Sequence, residues 1–206
     1  MDNKVVVFDF DKTLTYNDTL FGFFLTATAK NIIYPIKVLL YIFSMILAKL
    51  KVLSNKNMKR IGIELFLKGI DKVKFQSLSL DYSKKIKLNK LYHNFDFTSN
   101  NEIYIVSASF TNYLTPLFPK NITVLGSEFI FKEEKISGLS FNCYESFKAN
   151  ILLKKGITKI DILYTDSYSD YSLACMSEKI IIVNGDNTYE CKNIEKFNSY
   201  FGKNKK

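Results

Sequence analysis

Asp9 and Asp11 close the run Val5-Val6-Val7-Phe8-Asp9-Phe10-Asp11-Lys12-Thr13. The β-branched stretch specifies a buried strand, and residues two apart at its end point to one side. Two carboxylates placed like that repel each other unless a cation, a proton or a substrate reconciles them. The pattern suits a nucleophile assisted by a metal, with a separate acid/base beside it. A blander reading makes them solvated acids ahead of a Thr-capped helix. Ser107 follows the apolar run Ile103-Tyr104-Ile105-Val106. A hydroxyl and backbone N–H groups at such a turn can hold an anionic oxygen, although a serine there is commonly only a helix cap. Asp166 and Asp170 follow a third strand-like run, and each can also serve as a cap. If they share a crevice with Asp9 and Asp11, four carboxylates crowd together. Each unpaired buried charge costs several kcal/mol, so a hard cation is nearly demanded. An all-oxygen donor set favours Mg²⁺ over zinc. Lys148 is the candidate ammonium for the crevice, with Lys154 and Lys155 as rivals.

These residues need a scaffold that brings strand ends together. Strand-like runs at 4–9, Ile103–Ser107, Ile122–Leu125, Ile160–Tyr164 and Ile180–Val183 alternate with helical stretches at Phe110–Leu117, Tyr144–Lys155 and Tyr168–Met176. That alternation predicts an α/β fold with a parallel sheet, whose site lies at the carboxyl ends of the strands. Residues 129–138 read as a protruding β-hairpin. Between the first and second strands, four helices are expected at Leu20–Ala29, Pro35–Lys51, Asn55–Leu67 and Asp71–Leu88. Ser54 or Asn55 would start the third of them, with Gly69 after its end. The expected organisation is a core of 1–16 and 91–206 interrupted by an all-helical insertion, 17–90.

Composition excludes several classes. Hydrophobic residues make up 47% of the 206, which rules out a disordered chain. There is no repeat, low-complexity tract or long Pro/Gly linker. No secretory leader is expected, because the first apolar run leads straight into the acidic motif. Cys143, Cys175 and Cys191 have neither metal-ligand spacing nor an even count, which fits a reducing, cytoplasmic setting. His93 is the single histidine, so a Ser/His/Asp triad is unsupported, and no phosphate-loop motif is present. The net charge of +9 is concentrated: between Thr19 and Ile63 there are seven bases (Lys30, Lys37, Lys49, Lys51, Lys56, Lys59, Arg60) and no acid. The same segment is the most apolar. Its uninterrupted part, Val38–Ala48, would be about 16 Å long as a helix, too short for a hydrocarbon core of roughly 30 Å. Two readings of 31–53 remain open: a buried helix within a bundle, or a segment lying on an anionic membrane surface. Nucleic-acid binding is not expected, because these helices lack polar base-reading side chains.

Taken in order, Asp9-Phe10-Asp11-Lys12-Thr13, Ser107, Lys148 and Asp166-Ser167-Tyr168-Ser169-Asp170 resemble the four motifs of the haloacid dehalogenase-like superfamily of phosphatases. The helical insertion resembles the C1 cap of its phosphoserine phosphatase-like branch. A narrower likeness, in Asp18-Thr19-Leu20-Phe21-Gly22-Phe23-Phe24-Leu25 and the greasy basic stretch after it, is to the membrane-linked phosphatidylglycerophosphatase C group. The resemblance implies a three-layer Rossmann-type core and a phosphate-ester substrate. It makes Asp9 the nucleophile and Asp11 the acid/base. Mg²⁺ would be held by Asp9, Asp166 and the Asp11 carbonyl. Lys12, Thr13, Ser107, Ala108 and Lys148 would lie around the phosphate, with Asp170 in support. Asp11 favours a phosphatase over a dehalogenase, since an ester leaving group benefits from an acid. Lys12 stands where glycine is common, Thr165 replaces a frequent glycine, and Ser107-Ala108-Ser109 departs from Ser-Gly-Gly. These departures weaken phosphoserine as the substrate. The expected function is hydrolysis of a phosphate monoester through an aspartyl-phosphate, with a lipid-linked ester as one substrate class. A soluble metabolite phosphatase and a non-catalytic binding scaffold are the alternatives. The expected location is cytoplasmic, with the 31–53 segment as a candidate peripheral membrane contact.

Overall fold

Val5–Phe8 forms strand β1, with Val6 and Phe8 turned to one face of the sheet and Val7 to the other. The structure is a computed structural model describing residues 3–28 and 32–203. The expected helix end at Ala29, the base Lys30 and Asn31 at the head of the 31–53 segment lie outside the described residues. Helices α1 (Leu20–Ala27), α2 (Tyr34–Lys49), α3 (Asn55–Phe66), α4 (Lys72–Ser83) and the short α5 (Lys90–Asn94) follow. Strand β2 (Glu102–Phe110) and one-turn α6 (Thr111–Leu114) lead to the hairpin of β3 (Thr123–Lys132) and β4 (Lys135–Phe141). Then come α7 (Ser146–Lys154), β5 (Ile160–Thr165), α8 (Tyr171–Ala174), β6 (Ser177–Asn184), β7 (Asn187–Cys191) and α9 (Ile194–Tyr200).

The seven strands form one sheet in the order β4-β3-β2-β1-β5-β6-β7. The inner pairs are parallel and the two outer pairs, β3–β4 and β6–β7, antiparallel. This is the expected α/β, Rossmann-type layering. β1 lies at the centre, with Val6 opposite Ile103 on one side and Ile162 on the other. One face of the sheet carries an aliphatic core that includes Val7, Val106, Leu163, Ile180 and Phe197. The other carries an aromatic core shared by the sheet and helices α1–α4. Phe110 stacks on Phe129 at 4.1 Å between ring centres, and Phe23 of α1 meets Tyr113 at 4.7 Å. Gly62 is where α3 crosses α1 and α2: a Cβ there would lie 2.5 Å from the Phe24 ring and 2.9 Å from Tyr41.

Several boundaries differ from expectation. The strand expected to stop at Ser107 runs on to Phe110, which moves the start of the following helix to Thr111. That helix is a single turn continued by a 3₁₀ turn at Thr115–Leu117. Asp71 caps α4 by accepting from Val73 N–H, and α4 ends at Ser83 instead of reaching Leu88, which bridges to Thr15. Ser54, not Asn55, caps α3, and Gly69 follows at φ 82°.

Helix α2 settles which way its apolar residues face. Its inward side carries Tyr41 and Ser44, with Val38 and Met45 packed beside them. Ile36, Leu39, Leu40, Phe43, Ile46 and Leu50 recur at three- and four-residue spacing on the outward side, each at least 50% exposed. The buried-helix reading of this segment is therefore corrected: the apolar stripe faces out. Among the described residues, no helix is long and apolar enough to cross a membrane.

Candidate active site

Asp9 and Asp166 each stand one residue past the end of adjacent strands, β1 and β5, and Asp9 N–H donates to the Tyr164 carbonyl. Both carboxylates reach a cavity of about 200 Å³, which Asp11, Lys12, Lys148 and Ala108 also line. Lys148 is delivered by the first turn of α7, just after Glu145, whose φ of 51° and ψ of −126° is a strained conformation for a residue with a side chain. The Lys148 ammonium donates to Asp9 Oδ1 at 2.6 Å and lies 2.7 Å from Asp170 Oδ1. The second contact is an ion pair off the hydrogen-bond direction. Asp170 Oδ2 accepts from the Thr165 hydroxyl at 2.7 Å, which accounts for threonine in place of glycine there. Burial pulls the Lys148 amine down, but the Asp170 and Asp9 carboxylates outweigh it and hold the amine above its ordinary value. Burial raises Asp170 to about 6 against the pull of Lys148.

Asp166 is raised to about 8, by burial first and then by the charges of Asp9 and Asp170 beside it. Two acids facing each other this way are the donors a hard cation would relieve. Among the described residues, no three His, Cys, Asp or Glu side chains converge on one point. Two carboxylates at adjacent strand ends fit Mg²⁺, an ion that usually keeps several waters and takes one or two carboxylates.

Asp11 is held differently. Thr19 donates both its N–H and its hydroxyl to Asp11 Oδ1, each at 2.7 Å, and Ser109 donates its hydroxyl to Oδ2 at 2.5 Å. Tyr82 in turn holds Thr19 through its carbonyl at 2.6 Å. Burial, then the nearby Asp18, raises Asp11 to about 6 against those hydrogen bonds. A carboxyl near that value can give and take a proton at neutral pH.

The structure separates the residues expected around the phosphate. Lys12 and Ala108 line the cavity. Lys12 has φ 59°, so the turn adopts the left-handed conformation that glycine usually fills and carries a side chain regardless. Ser107 and Thr13 stand behind the cavity wall, both fully buried. The Ser107 hydroxyl accepts from Ser109 N–H at 3.0 Å, and the Thr13 hydroxyl points at Asp9 Oδ2 at 3.5 Å. Regular alternation would turn Ser107 and Ser109 the same way; the slip in β2–β3 pairing between Val106 and Phe110 breaks it, so Ala108 and Ser109 line the cavity while Ser107 does not. Gly126 permits that arrangement, since a Cβ there would lie 2.6 Å from the Ser109 carbonyl.

Thr19, Ser109, Asp18 and Lys59 belong to the site although the motif spacing does not point to them. Ser109 had one available signal, its place two residues beyond Ser107. Lys59 had none. Expected on a basic surface, it is fully buried in the cavity wall. Its ammonium donates to the Ala108 carbonyl at 2.5 Å, Asn142 Oδ1 at 2.6 Å and Ser127 Oγ at 3.1 Å. Burial lowers its amine to about 7; Lys148 adds to the lowering, while Cys143, Asp11 and Asp18 oppose it. Since the folded value lies below the unfolded one, between about pH 7 and 10.5 the unfolded chain holds a proton that the folded chain has lost. Stability should therefore rise with pH through that window, and the cost of the buried ammonium is fully present below it. Lys59→Met removes this dependence. In paired thermal melts from pH 6 to 10, the wild type should gain on the variant by a few kcal/mol. A constant difference would contradict the lowered amine.

No curated protein sequence matches the chain. Among solved structures, a phosphoserine phosphohydrolase-like protein from Francisella tularensis subsp. tularensis SCHU S4 is 22% identical, with a TM-score of 0.61 over 87% of this chain and 86% of that one. A substrate-bound phosphoserine phosphatase is 18% identical, with a TM-score of 0.64 over 97% and 99%. Cytosolic 5′-nucleotidase IIIB bound to cytidine is 15% identical, with a TM-score of 0.56 over 90% and 70%. These likenesses establish a shared fold. The family profile of haloacid dehalogenase-like hydrolases matches residues 6–174, so the chain belongs to that hydrolase family.

Proposed function

We propose that the protein is a Mg²⁺-dependent phosphomonoesterase working through Asp9, with residues 17–90 as a cap on a core of 1–16 and 91–206. The observation that carries this reading is the division of labour between two carboxyls. Asp9 is ion-paired at a strand end, and Asp11 is raised to about 6 and held by Thr19 and Ser109. An Asp9 oxygen attacks phosphorus while the bond to the leaving oxygen breaks, and Asp11 gives that oxygen its proton. Asp11 then takes a proton from water, which attacks the same phosphorus and returns Asp9 as a carboxylate. Lys148 stays protonated throughout and offsets the charge gathered beside Asp9. Bound Mg²⁺ would supply electrostatic stabilisation of the phosphoryl group, with the Asp9 and Asp166 carboxylates and the Asp11 carbonyl as its protein oxygens. Lys12 and the Ala108 main chain would face the phosphate. Thr13, Ser107 and Asp170 would support from behind.

A lipid-linked ester is the finer reading of the substrate, favoured over a soluble one by α2. Its outward stripe is apolar, and Lys49, Lys51, Lys56 and Arg60 are exposed from its last turn onward with no acid between Thr19 and Ile63. Each base near an anionic bilayer contributes about 1 kcal/mol, and the stripe adds apolar burial. The cavity is close by in the chain, since Asn55 and Met58 of α3 line it. The test is phosphate release from p-nitrophenyl phosphate, phosphoserine, a sugar phosphate and phosphatidylglycerophosphate in vesicles, each with Mg²⁺ and with a chelator, alongside sedimentation with anionic and neutral vesicles. Mg²⁺-dependent release, greatest on the lipid, together with preferential binding to anionic vesicles is expected. Release from soluble esters alone with no vesicle preference would remove the lipid reading; no release from any ester would remove the phosphatase.

A further inference from the structure

The cavity wall holds two buried lysines in opposite situations. Lys148 faces carboxylates, whereas all three partners of Lys59 are neutral oxygens. A buried ammonium with no counter-charge is costly, and an apolar side chain of similar length would fill the space without that cost. Its partners indicate what the charge is for. They come from three separate pieces of the core: the β2 residue Ala108, the β3 residue Ser127, and Asn142 just after β4. Pairing between β2 and β3 slips between Val106 and Phe110, so the regular ladder is interrupted where Ala108 sits. Its carbonyl instead takes two other donors, Lys59 Nζ and the Ser127 hydroxyl at 2.7 Å. One peptide further on, Ser109 donates to Asp11 Oδ2.

We propose that Lys59 is a positioning residue for Asp11: from helix α3 it fixes the Ala108 carbonyl, and through that peptide aims the Ser109 hydroxyl at the acid/base carboxyl. The proposal rests on the reading of Asp11 as proton carrier. It gives the inserted helices a part in the chemistry beyond covering the substrate. Thr19 holds one oxygen of Asp11 from the start of α1, and Lys59 holds the other through β2, so both oxygens are aligned only when α1 and α3 are in place on the sheet.

The experiment is a double-mutant cycle on turnover of p-nitrophenyl phosphate and of an alkyl phosphate with Lys59→Met, Ser109→Ala and the pair. Each single change should lower kcat on the alkyl ester about tenfold with KM moved less than about threefold, and the pair should be no worse than the poorer single variant. Multiplying losses would overturn the proposal, because Lys59 would then act independently of Ser109. Retained kcat with a raised KM would also overturn it, by making Lys59 a direct substrate contact. Where Lys59→Met loses its cooperative melt, Ser127→Ala takes its place in the cycle, since it removes the other donor to the same carbonyl; additivity there counts equally against the idea. Wild-type turnover separates the two levels: an inactive wild type removes the phosphatase reading itself, and an active one with additive variants removes only the role of Lys59.

Discussion

Replacing Asp9 with asparagine should abolish phosphate release, by roughly 10⁴-fold or more, in a chain that melts as the wild type does. The amide has the shape of the carboxylate and an oxygen that can still accept from Lys148, so packing is kept. It lacks the charge and nucleophilicity to bond phosphorus, and loss of a nucleophile removes nearly all of the rate in enzymes of this kind. The fold should tolerate the change because Asp9 and Asp170 share a single ammonium, that of Lys148, and Asp166 adds a further acid beside Asp9. Removing one negative charge relieves repulsion while Lys148 keeps Asp170 at 2.7 Å. Phosphate release and a thermal melt on the same preparation check both halves. Turnover retained at even a tenth of wild type would rule out Asp9 as the attacking group.

Asp11→Asn should split substrates by leaving group. Departure of p-nitrophenolate needs little help from an acid, so Asp9 should still be phosphorylated by p-nitrophenyl phosphate. Breakdown of that intermediate needs a base to activate water, which asparagine cannot be. The expected trace is a burst of about one p-nitrophenol per enzyme followed by slow turnover. An alkyl ester, whose alkoxide leaves poorly without a proton, should show no burst and a loss of roughly 10²–10⁴-fold. Equal losses on both esters with no burst would mean that Asp11 acts only by holding the site together. That outcome has some structural motive, since Asp11 gathers three hydrogen bonds from Thr19 and Ser109.

The elements that stood out in the sequence are those whose burial is periodic. β1 and β5 are apolar runs ending in acids, and both acids stand just past their strands. Four helices were expected between β1 and β2, and four long ones are there, with Asp71 acting as a cap. The short α5 was not expected, and neither were β7 and α9. Asn187–Glu190 in β7 is an exposed edge with no alternation of apolar and polar residues, so it exists only because β6 offers it an edge to pair with. β2 outran its expected end because Ser107, Ala108 and Ser109 look like a turn by composition, while pairing with β3 resumes beyond them at Phe110, opposite Ser127.

By itself the sequence determined the order of the candidate site residues and the kind of fold that would gather them. A strand followed by acids two apart is a local pattern, and local patterns survive without knowledge of what packs against them. Tertiary structure decided the rest. It turned the apolar stripe of α2 outward and drew Lys59, from the same basic segment, into the cavity wall. It also brought the Ser109 hydroxyl to Asp11 and left Ser107 buried beside it. Each outcome depends on partners far away in the chain: Lys59 meets a carbonyl 49 residues on, and Ser109 meets a carboxylate 98 residues back. Whether a charge or an apolar face is buried depends on whether such partners are there to receive it, and only the folded chain assembles them.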